Sequence, residues 1–142
     1  MTHNILVAYT TRHGSTQEIA ELIARTLRER GLAVDLLPIS MLRKLEGYQA
    51  VVLGAPLYMF HWHADALKFL GRFQPELTGG LPIAIFAGGP IEPGKPEQFA
   101  EVRANLDQEL AKFPWLKPVS VEIVGGRFDP TKLTFPYKLI PA

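Results

Sequence analysis

Three nearly unbroken apolar runs, Ile5 to Tyr9, Ala50 to Ala55 and Ile83 to Ala87, constrain this chain more than any other feature. Strict apolar–polar alternation would mean a sheet with one wet face. Runs without it mean strands covered on both faces, as in a parallel sheet between two layers of helices. In a fourth run, Val119, Val121 and Ile123 alternate with Ser120 and Glu122, which suits a strand nearer an edge. Ala33 to Leu37 carries Asp35, stops at Pro38 and also reads as an edge. Five strands are expected.

Helical patterns lie between them. Ile19, Leu22, Ile23 and Leu27 share one face of a first helix, with Gly31 in the position where helices turn left-handed and stop. Ala66, Leu67, Leu70 and Phe73 mark a shorter helix from about Ala64. Phe99, Val102, Leu106, Leu110 and Phe113 form the stripe of a longer one, with Pro96 in its first turn and Pro114 at its end. Met41, Leu42 and Leu45 suggest a helical turn between Ser40 and Tyr48. Strands alternating with helices predict an α/β parallel sheet joined by right-handed crossovers. With no repeat or linker, residues 1–142 read as one domain.

Composition narrows the function classes. With 15 basic and 14 acidic residues the net charge is +1, so no electrostatic drive toward nucleic acid follows. The absence of cysteine removes disulfides, thiolate metal sites and a cysteine nucleophile. No stretch approaches the roughly 18 apolar residues of a spanning helix, and none reads as a secretory signal, so a cytoplasmic protein is expected.

In open α/β sheets ligands sit beyond the carboxyl ends of the strands, and three unusual loops begin there. The first, Thr10 to Thr16, offers four hydroxyls (Thr10, Thr11, Ser15, Thr16), Gly14, and the free N–H groups of a helix N-terminus. Those donors and the helix dipole suit a phosphate. Ser15 to Glu18 also fits an S-x-x-E capping box, which explains Ser15 and Glu18 but not four hydroxyls after a buried strand. The loop has neither a G-x-G-x-x-G series nor a Gly-Lys pair, so a dinucleotide or nucleoside triphosphate fits less well. Arg12 reads either as a bidentate phosphate partner or as a solvated loop residue, and His13 as a donor through its backbone N–H. The second loop runs from Pro56 to His63. There Tyr58 and Trp62 offer aromatic faces for a flat ring, with core burial as the alternative, and Leu57 and Met59 an apolar wall through side chain or backbone. His61 and His63 stand two apart without a third clustered ligand, a poor zinc pattern; lining a substrate entrance or capping the next helix suits them better. The third loop follows Ala87, where Gly88, Gly89 and Pro90 let backbone approach a ligand.

On these residues the sequence resembles the flavodoxin family. Tyr9 to Thr16, with Gly14-Ser15-Thr16 at its centre, looks like the family's phosphate loop, Gly54 to Tyr58 like the loop bordering the isoalloxazine ring, and Ala87 to Gly89 like the third flavin loop. The resemblance implies a flavodoxin-like three-layer sandwich with strand order 2-1-3-4-5 and one FMN. The FMN would be held by Thr10, Thr11, Arg12, His13, Gly14, Ser15, Thr16, Pro56, Leu57, Tyr58, Met59, Ala87, Gly88 and Gly89. A narrower likeness, to menaquinone-dependent protoporphyrinogen oxidases, is carried by Gly54-Ala55, His61 to His63, Gly125 to Phe128 and the aromatic, basic run Phe135 to Ile140. It implies oxidation of protoporphyrinogen IX or a related small substrate, with a quinone as acceptor. The alternatives are an electron carrier docking redox proteins, an NAD(P)H-dependent quinone reductase and a non-enzymatic binding domain that has lost FMN. The basic, aromatic tail raises contact with the inner face of a membrane as a further expectation, against packing on the domain's own sheet. The family's terminal helix is not evident before Ala142, which predicts bare apolar strand surface beside the first helix, to be covered by a further stretch of a longer natural protein or by a symmetric partner.

Overall fold

The computed structural model describes residues 4–11, 15–58, 61–88 and 96–124. Strand β1 (Asn4–Tyr9) is apolar at successive positions because both its faces are covered. Ile5 and Val7 face helix α1 (Ser15–Glu29), packing with its Ala20, Ile23 and Leu27, whereas Leu6 and Ala8 belong to the core on the other side. The end of α1 is fixed by sequence: Gly31 has φ 87°, its N–H donates to Arg28 O at 3.0 Å, and Leu32 N–H donates to Leu27 O at 3.2 Å. That is the Schellman pair that satisfies the last carbonyls of a helix.

Strand β2 (Ala33–Pro38) and a single 3-10 turn (Ile39–Met41) follow. Leu42 and Leu45 are buried, but Met41 is 66% exposed, so the turn contributes less to the core than its pattern suggested. Strand β3 (Ala50–Tyr58) runs three residues past the expected end, and β4 (His61–Trp62) folds back on it, pairing Leu57 with Trp62 and Tyr58 with His61. The segment from Pro56 is therefore a hairpin, not the loop read from sequence. Helices α2 (Ala64–Arg72) and α3 (Gln74–Thr78), strand β5 (Ile83–Gly88), helix α4 (Pro96–Leu110) and strand β6 (Ser120–Val124) complete the described chain. α4 stops at Leu110, short of Pro114.

The sheet order is β2-β1-β3-β5-β6, all parallel, with β4 antiparallel on β3. The five long strands thus take the expected 2-1-3-4-5 order, and β4 is the strand the sequence did not reveal. α1 covers one face; Ala66, Phe69 and Leu70 of α2 with Val102 and Leu106 of α4 cover the other. Each edge strand has one carbonyl taken by a helix arginine: Arg28 Nη2 donates to Val34 O at 2.8 Å, and Arg103 Nη1 to Val121 O at 3.2 Å.

Among the described residues, the bare strand surface expected beside α1 is not found. Ala84 and Phe86 of β5 and Val124 of β6 are all buried in the α1-side core. Two features of this face contribute. The Phe86 ring lies flat over Gly54, filling the space between β3 and β5; a Cβ on Gly54 would come within 1.9 Å of the ring. The register also pairs Ala84 with Ser120 and Phe86 with Glu122, so β6 turns polar residues to that face. The terminal-helix expectation and the segments Gly125 to Phe128 and Phe135 to Ile140 fall outside the described residues.

Candidate functional site at the carboxyl ends of the strands

Strand order reverses direction between β1 and β3: from β1 the chain steps to β2 on one side, then returns to place β3 on the other. Such a switch point opens a crevice at the carboxyl ends of the two strands. Thr10 and Gly54 meet here, the Thr10 N–H donating to Gly54 O at 3.0 Å. Thr16, in the first turn of α1, is only 1% exposed, and a Cβ added to Gly88 would lie 3.8 Å from its hydroxyl. The start of α1 therefore sits over the end of β5. Residues far apart in the chain are brought to one place, around a glycine that leaves room for a ligand to touch backbone.

The other sequence-predicted residues divide clearly. The Thr10 hydroxyl donates to Asp65 Oδ2 at 3.2 Å, so its one proton is turned away from the α1 terminus toward α2. Thr11 lies beside the crevice and is half-buried. Ser15 opens α1 and Tyr58 closes β3, while their side chains, like Arg12, His13, Gly14, Met59 and Gly89, fall outside the described residues. Leu57 and Ala87 point their side chains into the core, leaving only backbone for a ligand; Pro56 is half-buried at the crevice. Trp62 is not a stacking platform: it is 1% exposed, and its indole N–H donates to Ala55 O at 2.9 Å. A hairpin position opposite Leu57 explains this, since paired residues share a face.

The two histidines take separate tasks. His63 caps α2, its Nδ1 accepting from Asp65 N–H at 3.1 Å. His61 is held by Glu109 of α4, Nδ1 to Oε1 at 3.2 Å. Glu109 also accepts from Trp62 N–H on Oε2 at 3.3 Å and from Lys112 Nζ on Oε1 at 3.0 Å. Burial alone would push the Glu109 carboxyl up. The bonds from Lys112 and His61, the Lys112 charge and the Trp62 N–H together outweigh it and hold the carboxyl below its ordinary range. Sequence reasoning missed Asp65 and Glu109 because nothing local marks an acid whose partners lie 55 or 48 residues away.

A flavodoxin-domain family model matches residues 6–140. The chain belongs to the flavodoxin family. It is 30% identical over 123 residues to protoporphyrinogen IX dehydrogenase [quinone] of Escherichia coli K12, an alignment covering 85% of this chain and 67% of that one. Among solved structures, oxidised flavodoxin 1 of Bacillus cereus superposes with a TM-score of 0.65 at 21% identity, covering 96% of each chain. Rubredoxin oxygen:oxidoreductase of Desulfovibrio gigas gives 0.65 at 18% identity, covering 98% of this chain and 35% of that one. The cofactor is FMN. The donor set fits it: the crevice at the switch point offers a helix N-terminus, a buried threonine and a glycine, with no acidic side chain among the described residues of the first turn before Glu18. No helix among the described residues is long and apolar enough to cross a membrane.

Proposed function

We propose that this protein is an FMN-dependent oxidoreductase that oxidises a small reduced substrate of the protoporphyrinogen type and passes the electrons to a quinone. The observation that carries this reading is the meeting of Thr16 and Gly88 at the crevice where Thr10 is tied to Gly54. The relative in Escherichia coli named for that substrate and acceptor class supports it.

The chain's own residues then divide the work. Thr11, Arg12, Ser15, Thr16 and the backbone N–H groups of His13 and Gly14 hold the phosphate at the positive end of α1. Pro56, Leu57, Tyr58 and Met59 border the ring from the hairpin side, and Ala87, Gly88 and Gly89 approach it through backbone. Thr10 supports the loop through Asp65 instead of gripping the phosphate. The flavin supplies the redox chemistry; the protein binds and orients it and sets the charges around it.

Purification with excess FMN followed by a visible spectrum tests the foundation, and a protein that stays colourless overturns it. Anaerobic mixing with protoporphyrinogen IX, a menaquinone analogue and NADH tests the substrate. Bleaching by protoporphyrinogen IX and recovery with the quinone support the reading. Reduction by NADH alone would assign a nicotinamide-dependent reductase, and reduction by neither a carrier between redox proteins. Thr11→Ala with Thr16→Ala should weaken FMN binding about 100-fold, as expected for two bonds to a charged group, with a much smaller fall in stability. Loss of stability with unchanged FMN affinity would mean that these hydroxyls only cap the helix.

A further inference from the structure

The imidazole of His61 is 73% exposed, whereas the Glu109 side chain bonded to it is 5% exposed. A histidine recruited for packing would be buried, and an ordinary surface pair would leave the carboxylate in water. Here an acid from α4 is enclosed and its free oxygens are consumed: Oε2 by Trp62 N–H, Oε1 by Lys112 and by the one ring nitrogen of His61.

The chemistry of the pair follows from the acid. A carboxylate held in its ionised form can only accept hydrogen bonds, so Nδ1 must carry the proton. The neutral ring therefore presents Nε2 as an unprotonated lone pair, with its tautomer set by the partner on the other nitrogen. His61 pairs with Tyr58, the last residue of β3, and so stands at the carboxyl end of that strand. The hairpin is pinned there by Trp62 Nε1 on Ala55 O and His63 N–H on Pro56 O. A base is thus carried at the carboxyl end of β3, the end at which the crevice opens.

We propose that His61 is the residue that accepts the substrate's proton through Nε2, and that Glu109 is the positioning residue that fixes its tautomer and orientation. This rests on the proposed function. A substrate losing two electrons and two hydrogens would give a hydride, with both electrons, to bound FMN, and would release a proton. His61 Nε2 takes that proton as the substrate's N–H or C–H bond breaks. The imidazolium so formed faces the Glu109 carboxylate and returns its proton to water before the next turnover; the quinone would take the hydride on from bound FMN, and its second hydrogen as a proton from water.

The test has two parts. In the protein without FMN, ¹⁵N spectra of the neutral His61 ring should show the proton on Nδ1. Glu109→Gln should mix the two tautomers, because an amide can donate as well as accept. In the FMN-loaded protein, His61→Ala should slow bleaching by protoporphyrinogen IX about 100-fold, the scale of general base catalysis, with FMN affinity unchanged, and added imidazole should restore part of the rate. Glu109→Gln should slow it about tenfold. A proton on Nε2 in the wild-type ring overturns the role of Glu109, and an unchanged bleaching rate in His61→Ala overturns that of His61. Wild-type protein that takes up no FMN, or that protoporphyrinogen IX does not bleach, overturns the proposed function and this role with it. Normal wild-type bleaching with a silent His61→Ala overturns the role alone.

Discussion

The α1 side of the site comes from one continuous stretch, β1 with the loop and helix after it, whereas the hairpin side is held by Glu109, 47 and 48 residues away from the groups it binds. On the first side the local pattern carries its own instructions. An apolar run, a hydroxyl-rich loop, an amphipathic stripe and Gly31 each specify the next element. On the second side the geometry exists only after the sheet and α4 have assembled. Substitutions in the two regions should therefore fail differently: at the α1 side they should cost ligand, at the hairpin side they should first cost structure.

The largest effect expected is at Trp62. Replacing it with alanine empties a fully buried site and orphans the Ala55 carbonyl, which should cost about 3–5 kcal/mol in a denaturant titration. A midpoint near wild type would mean that the hairpin is not part of the core, and the comparison would break. Gly54→Ala comes next. Its Cβ would stand 1.9 Å from Phe86 Cζ with no room to move, a cost of about 3 kcal/mol at the upper end of overpacking. Combining it with Phe86→Leu should recover part of the loss; strict additivity would show that the ring is not what the new methyl meets.

Glu109→Gln should cost about 1.5–3 kcal/mol at neutral pH, the range for hydrogen bonds to a charged group. The sign of its pH dependence is set by the lowered carboxyl. The ionised form is favoured in the folded state, so its stabilisation is present above the ordinary glutamate value of about 4.3 and is lost as pH falls through the lower folded value. Acid unfolding should accordingly be shallower in Glu109→Gln than in wild type; parallel curves would remove Glu109 from the account. The smallest effect is expected at His63, where alanine removes only the α2 cap and should cost about 1 kcal/mol in thermal melts. A cost as large as that at Trp62 would mean that the cap also locks the hairpin.

The same contrast explains what could be read from residues alone. Continuous apolar runs announced the parallel sheet, and its strand order followed from the family resemblance. Gly31 marked the end of α1 because only a left-handed position explains a glycine there. Pro56, by contrast, read as the start of a loop, since the apolar run was taken to end at Ala55. In the structure β3 passes through it and the chain turns only after Tyr58. Trp62 read as a candidate stacking face because an aromatic residue in a loop and one in a hairpin look alike until the pairing partner is known. Glu109 gave no signal: it follows Leu106 by three positions on a helix whose stripe was counted in apolar residues only, and two of its three partners lie in a strand that was not foreseen.

The two arginines that bond to the outermost strands have a consequence for behaviour at high concentration. A strand with an open flank can recruit a strand from another molecule, and such pairing seeds fibres and precipitates. Here a newcomer would have to displace a guanidinium from the Val34 carbonyl on one flank or from the Val121 carbonyl on the other. Both come from helices already packed on the sheet, so the guard is in place as soon as the domain is folded.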